Sequence, residues 1–258
     1  MNYGLYISAS GVASAMYRMD VAANNLSNIN TTGFKPDRTV ERQRDAARPE
    51  DGAWSLPSNV LLERLGGGVH MHPNRVSFDQ GPIVTTSGEL DLAIQGPGFL
   101  VARDATDKNG DRVRLTRDGR LSRNARGHLV TSGDGMPVLD VNNRVIQLPE
   151  GAVAIGGDGS IRHKGQVIAN IQFIDVPDTS RLIKIGHGMF QAPADALENR
   201  RAAAGTIRQG QLEGAAIDPI QAMLAVKNAG GDADRNVGMI RHHDTLMDRA
   251  INTLGRVA

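Results

Sequence analysis

The 258-residue chain contains no cysteine. That excludes disulfides, thiolate nucleophiles and cysteine-ligated metals, and makes the chain indifferent to the redox state of its compartment. Aromatic residues are only 3% of the total, so the interior is expected to rest on Val, Ile, Leu and Ala rather than on ring stacking. Neither sign of charge dominates, with 29 Lys plus Arg against 28 Asp plus Glu. No field exists to hold a polyanion, so a nucleic-acid partner is not expected. The opening MNYGLYISASGVASAMYRMD has no basic start and no unbroken apolar run. Neither a signal peptide nor a membrane span is expected there. The length suffices to bury a core without covalent staples.

Catalytic chemistry is also missing. No nucleophile elbow, phosphate-cradling loop or dinucleotide fingerprint stands in a strand-to-helix setting. Gly96-Pro97-Gly98 is followed by an apolar run of β character, which makes it a turn. His70-Met71-His72 and His242-His243-Asp244 are the histidine clusters. Adjacent helical residues point about 100° apart and no third ligand is spaced nearby, so the expectation is no metal. Asp104, Asp107, Asn109 and Asp111 with Gly110 depart from the EF-hand order and lack its closing Glu, and read as an acidic hairpin loop. The chain reads as non-enzymatic, with no cofactor and no small-molecule substrate.

What is present begins at the two ends. Leu5, Ala9, Val12, Met16, Met19, Ala23 and Leu26 recur at alternating spacings of four and three, the seam of an amphipathic helix. The helix is expected to stop at Asn28-Ile29-Asn30-Thr31-Thr32-Gly33, where short polar side chains bond local backbone and glycine turns left-handed. Near the other end, Asp218 caps, Pro219 fits the first helical position and Gln221 takes the capping-box place. From there Met223, Val226, Gly230, Ala233, Val237, Ile240, Asp244, Met247, Ile251 and Leu254 carry a second seam. Gly230-Gly231 is expected to weaken or hinge it, at about 1 kcal/mol per glycine.

Between about Gly81 and Gly214 the helical period gives way to short alternating runs separated by turn dipeptides. Strands are expected around 90–94, 99–101, 114–117, 120–122, 128–131, 136–141, 144–148, 153–155, 160–162, 166–175 and 182–185. Asp118-Gly119 has the form of a two-residue type I′ hairpin turn, and Asn142-Asn143 and Asp158-Gly159 supply others. The fold class expected is mainly β with terminal α-helices: an all-β central domain (81–214) flanked by N- and C-terminal helices (1–35 and 215–258) that pair as a coiled-coil-like stem. The segment 36–80, with a charged run, Trp54, Pro57 and Gly66-Gly67-Gly68, reads as an extended connector in which Trp54 packs locally.

The wording of the sequence then narrows the reading. Ala22-Ala23-Asn24-Asn25-Leu26-Ser27-Asn28-Ile29-Asn30-Thr31-Thr32-Gly33-Phe34-Lys35 closely resembles the N-terminal motif of flagellar rod and hook proteins. Gly88-Glu89-Leu90-Asp91-Leu92-Ala93-Ile94-Gln95-Gly96-Pro97-Gly98-Phe99 is similar to that family's central signature. Thr116-Arg117-Asp118-Gly119 and Leu129-Val130-Thr131-Ser132-Gly133 resemble its hairpins, and Gly210-Gln211-Leu212-Glu213-Gly214 with Ile217-Asp218 the entry to its C-terminal helix. The matches run in family order over nearly the whole chain. Lys227-Asn228-Ala229-Gly230-Gly231-Asp232 departs from the aromatic-containing polar stretch of many relatives, and Ala215-Ala216 stands where Ser-Asn is usual.

The resemblance implies a structural subunit of the bacterial flagellar basal-body rod that stacks helically, with terminal helices in an inner tube and the β domain outside. It also implies neighbouring rod and hook proteins as partners, and passage through the flagellar type III export apparatus without a cleavable signal. The length fits a proximal or a distal rod subunit and is short for most hook proteins, and Leu148-Pro149-Glu150-Gly151-Ala152 with Gly188-Met189-Phe190 lean toward the proximal type. The assembly interface is expected at Leu5, Val12, Met16, Met19, Asn24, Asn25, Leu26, Asn28, Gly33, Phe34, Met223, Val226, Val237, Ile240, Met247, Ile251 and Leu254, which make the chain a homo-oligomer. A hook-type axial protein and a glycan-binding β module are the alternatives, the latter poorly served by so few aromatics.

Overall fold

The computed structural model describes residues 3–45, 66–104 and 112–254. Trp54, Pro57 and four residues of the acidic loop (Asp107, Asn109, Gly110 and Asp111) lie outside them. Helix α1 (Tyr3–Ser27) leads to strands β1 (Asp37–Gln43), β2 (Val69–Val76), β3 (Ile83–Thr85), β4 (Leu92–Gln95) and β5 (Phe99–Arg103). Next come β6 (Val113–Thr116), β7 (Leu121–Arg123), β8 (Leu129–Thr131), β9 (Ala154–Ile155), β10 (Ser160–His163) and β11 (Gln166–Asn170). Then follow β12 (Phe173–Asp175), β13 (Ile183–Gly186), β14 (Met189–Gln191), the short helix α2 (Ala194–Glu198) and β15 (Arg201–Ala202). Strands β16 (Thr206–Gln209) and β17 (Gln211–Glu213) precede helix α3 (Pro219–Leu254). The fold is thus mostly β between two long terminal helices.

The chain forms two compact units, one of Met1–Ser27, Asp37–Arg75 and Asp218–Ala258, the other of Asn28–Pro36 and Val76–Ile217. In the first, α1 and α3 run antiparallel. Asp218 caps α3 as its sequence position suggested: its carboxylate accepts from the Ile220 and Gln221 amides at 2.8 and 3.3 Å, satisfying donors that the first helical turn leaves free. The helix continues through Gly230-Gly231 without interruption. The expected weak point is a point of approach, where Gly230 faces the Met19 sulfur of α1. Strands β1 and β2 pair with each other. Both fall in the stretch expected to be an extended connector, because their charged, poorly alternating sequences carry little strand signal.

In the second unit a six-stranded sheet runs β13-β14-β6-β5-β12-β15, beside a three-stranded sheet β11-β10-β9 and the pairs β16-β4, β17-β3 and β7-β8. Strand β5 lies between two cores, as the two-residue period of its side chains allows. Leu100 enters a cluster with Leu92, Ile94, Leu129, Ile161 and Ile171. Phe99 and Val101 enter another with Leu115, Leu139, Ile174 and Phe190. The interior is aliphatic as composition suggests, with one exception. Phe78, Phe99 and Phe190 gather with ring centroids 5.2 to 6.0 Å apart, so most of the chain's five Phe residues form one cluster.

The turns at Gly96-Pro97-Gly98, Asn142-Asn143 and Asp158-Gly159 occur where expected, with Asn143 at φ 58° and Gly159 at φ 84°. Asp118-Gly119 does not make the expected hairpin. Strand β6 pairs with β5 and β14, and β7 pairs with β8. Gly119 is required by proximity instead, since a Cβ there would stand 1.6 Å from the Leu92 carbonyl oxygen. The segment expected as one strand over 166–175 is two, β11 and β12, which join different sheets.

Replacing Gly119 with Ala drives a methyl into backbone that has no rotamer by which to yield. The variant is expected to lose about 3 kcal/mol of stability, at the upper end of overpacking costs, as a lowered urea midpoint of the full-length chain.

Candidate assembly interface

On α1 the most buried seam differs from the one the heptad pattern marks. The buried face of α1 carries Ser8, Ala15 and Ala22, and Gly4 and Gly11 oppose His243 and Asn236 of α3 so closely that a Cβ would stand 2.6 Å from either side chain. Small residues face inward because the backbones approach closely. The larger apolar residues are therefore turned aside. Leu5, Val12, Met19 and Leu26 are half-buried and Ala9 and Ala23 exposed, while Met16 is 51% and Tyr6 63% exposed.

Helix α3 keeps the middle of its expected seam half-buried and opens toward its two ends. Val226, Val237 and Ile240 are half-buried, Met223 is 59% and Ile251 67% exposed, and Ile220, Met239, Leu246 and Met247 are exposed as well. The side chain of Leu254 lies outside the described residues. One unit thus displays an apolar surface along both helices that its own fold leaves in water, where burial is worth roughly 25 cal/mol per Å².

Polar groups fix the pair's register. Arg18 of α1 reaches Glu41 of β1 at 3.0 Å and Asp232 of α3 at 2.8 Å. Ser14 donates to the same Glu41 at 2.5 Å, and Arg235 also donates to Asp232. The hydrogen bond from Arg235, then that from Arg18, holds the Asp232 carboxyl below the usual carboxylate range. Asn25 is tied to Asp37 in both directions: its amide donates to the Asp37 carbonyl at 2.8 Å and its oxygen accepts from the Asp37 amide at 3.0 Å. Its neighbour Asn24 is exposed.

The remaining expected interface residues, Asn28, Gly33 and Phe34, belong to the β-rich unit, where the family-like motifs meet around one carboxylate. Gly33, at φ 65°, donates its amide to the Glu213 carbonyl at 2.7 Å. Lys35 is fully buried and donates to the Glu213 carboxylate at 2.6 Å and to the Asp79 carbonyl at 2.6 Å. The Gly81 amide donates to the same Glu213 oxygen at 2.9 Å. Arg117 approaches that carboxylate at 3.4 Å, donates to the carbonyls of Gly98 and Gly96, and stands over the Phe99 ring. Burial pulls the Lys35 and Arg117 pKa values below their usual range, against the opposing pull of Glu213. Thr32 donates to Asp118 at 2.8 Å, and Lys184 sits 4.3 Å from the centre of the half-buried Phe34 ring. Asn28 is half-buried and its backbone carbonyl closes a turn with Thr31.

This node has no periodic signature. Lys35, Arg117 and Glu213 show no spacing that links them, and the sequence hint is that each sits inside a family-like motif. Leu148, Met189 and Phe190, in the stretches that lean toward a proximal type, are buried in the β-rich unit, so they build the fold rather than a surface that distinguishes neighbours. His70 and His72 are exposed on β2, and among the described residues no three His, Cys, Asp or Glu side chains come together as metal ligands. No described helix is long and apolar enough to cross a membrane.

Comparison with known proteins places these features in a wider set. Residues 5–35 match a family described as flagella basal body rod protein, and residues 93–169 match one described as the flagellar hook protein FlgE/F/G D1 domain. The chain is 30% identical over 259 residues to the flagellar basal-body rod protein FlgF of Caulobacter vibrioides, covering 100% of both. It is 26% identical to the rod protein FlgG of Bacillus subtilis over 96% of this chain and 97% of that one. A likeness to the flagellar hook protein FlgE of Helicobacter mustelae, at 33%, covers 50% of this chain and 28% of that protein.

Two outcomes are expected. Lys35→Met leaves Glu213 buried with one distant cation and is expected to cost about 3 kcal/mol, with Lys35→Met/Glu213→Gln recovering part of it in urea denaturation. Because the folded pKa of Asp232 is depressed, its contribution is present above its ordinary value of 3.8 and is lost as pH falls through the lower folded value. Protection factors in α1 and α3, corrected for intrinsic exchange, should therefore fall slightly below about pH 4, and Asp232→Asn should remove that acid-dependent step.

Proposed function

This chain belongs to the flagellar basal-body rod protein family, and from that premise we propose that it polymerises into the rod by covering the open faces of α1 and α3 with the helices of sister and neighbouring subunits. It is a structural subunit of the basal body. In this reading it carries no catalytic site, transmits torque along the axis, contacts other rod and hook proteins, and leaves the cell through the flagellar export apparatus without a cleavable signal peptide.

The observation that carries the reading is the turned seam. Leu5, Val12, Met16, Met19 and Leu26 repeat as a heptad yet do not form the buried face of α1, which small residues occupy instead. A stripe of that length left partly in water is a cost without a partner and a source of affinity with one. On α3 exposed Met223, Met247 and Ile251 supply the same, half-buried Val226, Val237 and Ile240 flank them, and Leu254 is assigned to the assembly by its place in the seam. Asn24 and Asn25 at the end of α1 and Asn28, Gly33 and Phe34 beyond it are assigned to the same assembly, Asn24 as a direct contact and Gly33 through the turn it permits. A hook-type role is supported by the half-length likeness to FlgE, whereas the rod reading is supported along the full chain.

In hydrogen exchange on the free chain, amides of both terminal helices are expected to exchange far faster than those of β4, β5 and β6, and to become protected on polymerisation; equal protection in the monomer contradicts the reading. Met16→Asp, a change at an exposed site expected to alter folding stability by no more than about 0.5 kcal/mol, should abolish polymerisation. Cells deleted for the gene should lack a complete rod by electron microscopy and fail to swim.

A further inference from the structure

Nine residues of the chain are methionine and none is cysteine, so no thiol competes with the thioethers for an oxidant. The methionines differ sharply in depth. Met16, Met223, Met239 and Met247 are exposed, and all four stand on α1 or α3. Met19, Met71 and Met136 are half-buried, and Met189 is buried in the β-rich unit. Among the described residues, the open thioethers therefore belong to the helical unit alone.

Three of these four lie on the apolar seams, Met16 on that of α1 and Met223 and Met247 on that of α3. Met239 does not. It follows Val237 by two residues, which turns it about 200° round the helix from that seam position. Its neighbour Gly238 faces open space, with nothing within 4 Å of where a Cβ would stand.

Methionine suits a face that must pack against more than one neighbour, because it is unbranched and polarizable. The same sulfur is open to oxidation. A hydroperoxide gives one oxygen to the thioether: the O–O bond breaks, a sulfur lone pair forms the S–O bond, and with hydrogen peroxide the remainder leaves as water. Sulfur is oxidised by two electrons and the peroxide is reduced by two. The product is a polar sulfoxide on a face that needs an apolar side chain.

We propose that Met16, Met223 and Met247 form a modification site of the unassembled chain: hydroperoxide converts them to sulfoxides, and a chain so modified is barred from the polymer. Burying a sulfoxide oxygen without a donor costs the hydration it gives up. A chain already polymerised is shielded, because its neighbours cover the same sulfurs. The lock is reversible. Methionine sulfoxide reductases, one for each epimer, return the thioether, the oxygen leaving as water while a dithiol becomes its disulfide. The inference rests on the reading that sister chains cover the open helices, and adds a chemical state of that surface that prevents it.

The test uses the full-length chain, lightly oxidised with hydrogen peroxide, polymerised and sedimented. Peptides from pellet and supernatant are then compared by mass spectrometry. Sulfoxide at Met16, Met223 and Met247 is expected to be at least about fivefold scarcer in the pellet, while sulfoxide at Met239 is shared evenly. Met189 should stay unoxidised in both fractions, reporting that the β-rich unit remains folded. Complete oxidation of the exposed sulfurs should raise the critical concentration for polymerisation about tenfold, and both reductases together should return it to within about twofold. Preformed polymer should oxidise at the three seam positions at least about fivefold more slowly than free chain. An even distribution of every sulfoxide between pellet and supernatant, while Met16→Asp still blocks assembly, overturns this site and leaves the covering of the helices standing. Loss of assembly that persists once the sulfoxides have been reduced overturns it as well. A chain that stays monomeric at every concentration, oxidised or not, overturns both readings.

Discussion

The β-rich unit depends on one buried carboxylate. Glu213 accepts from the Lys35 ammonium and the Gly81 amide, lies within reach of Arg117, and gives its own carbonyl to the Gly33 amide. An isolated charge in this interior would be strongly unfavourable, so its position is tolerated only while these donors surround it. Residues 32–35, 79–81, 96–98, 117–118 and 213 are thereby held in one arrangement although they are dispersed along the chain. The glycines around the node follow from the same crowding. Gly33, Gly81 and Gly98 each stand where a side chain would overlap backbone or ring atoms.

In the helical unit the governing constraint is close approach rather than charge. Gly4, Ser8, Gly11, Ala15 and Ala22 let α1 lie tightly on α3, and Arg18 sets the register through Glu41 and Asp232. Using small residues at the closest approach leaves the larger ones only partly covered. The same helix can then hold one neighbour with its small face and present its wide face elsewhere, which is what a subunit needs if it is to be both folded and polymerised.

Much of this was legible in the residue order. Both terminal helices, the Asp218 cap, the turns at Gly96-Pro97-Gly98, Asn142-Asn143 and Asp158-Gly159, and most strands follow from period and turn chemistry. The face of α1 that meets α3 did not, because a search for apolar periodicity gives weight to Leu, Val and Met and overlooks glycine and serine. Asp118-Gly119 misled for a related reason: the dipeptide fits a tight turn, but its glycine answers to the Leu92 carbonyl from a distant part of the chain. Strands β1 and β2 escaped notice because charge dilutes their alternation. The Lys35–Glu213–Arg117 node was invisible, since single charges acquire meaning only when the fold brings them together.

Lys35 and its carboxylate partner are separated by 178 positions. Synthesis proceeds from the N-terminus, so Lys35 and Arg117 both emerge well before the anion that neutralises their surroundings. The β-rich unit therefore cannot complete its core until its last strand has been made, and any chain broken off before Glu213 holds two cations with nowhere dry to go. Closure late in the unit's synthesis makes it a test of its own integrity: only a chain that extends past Glu213 can shut.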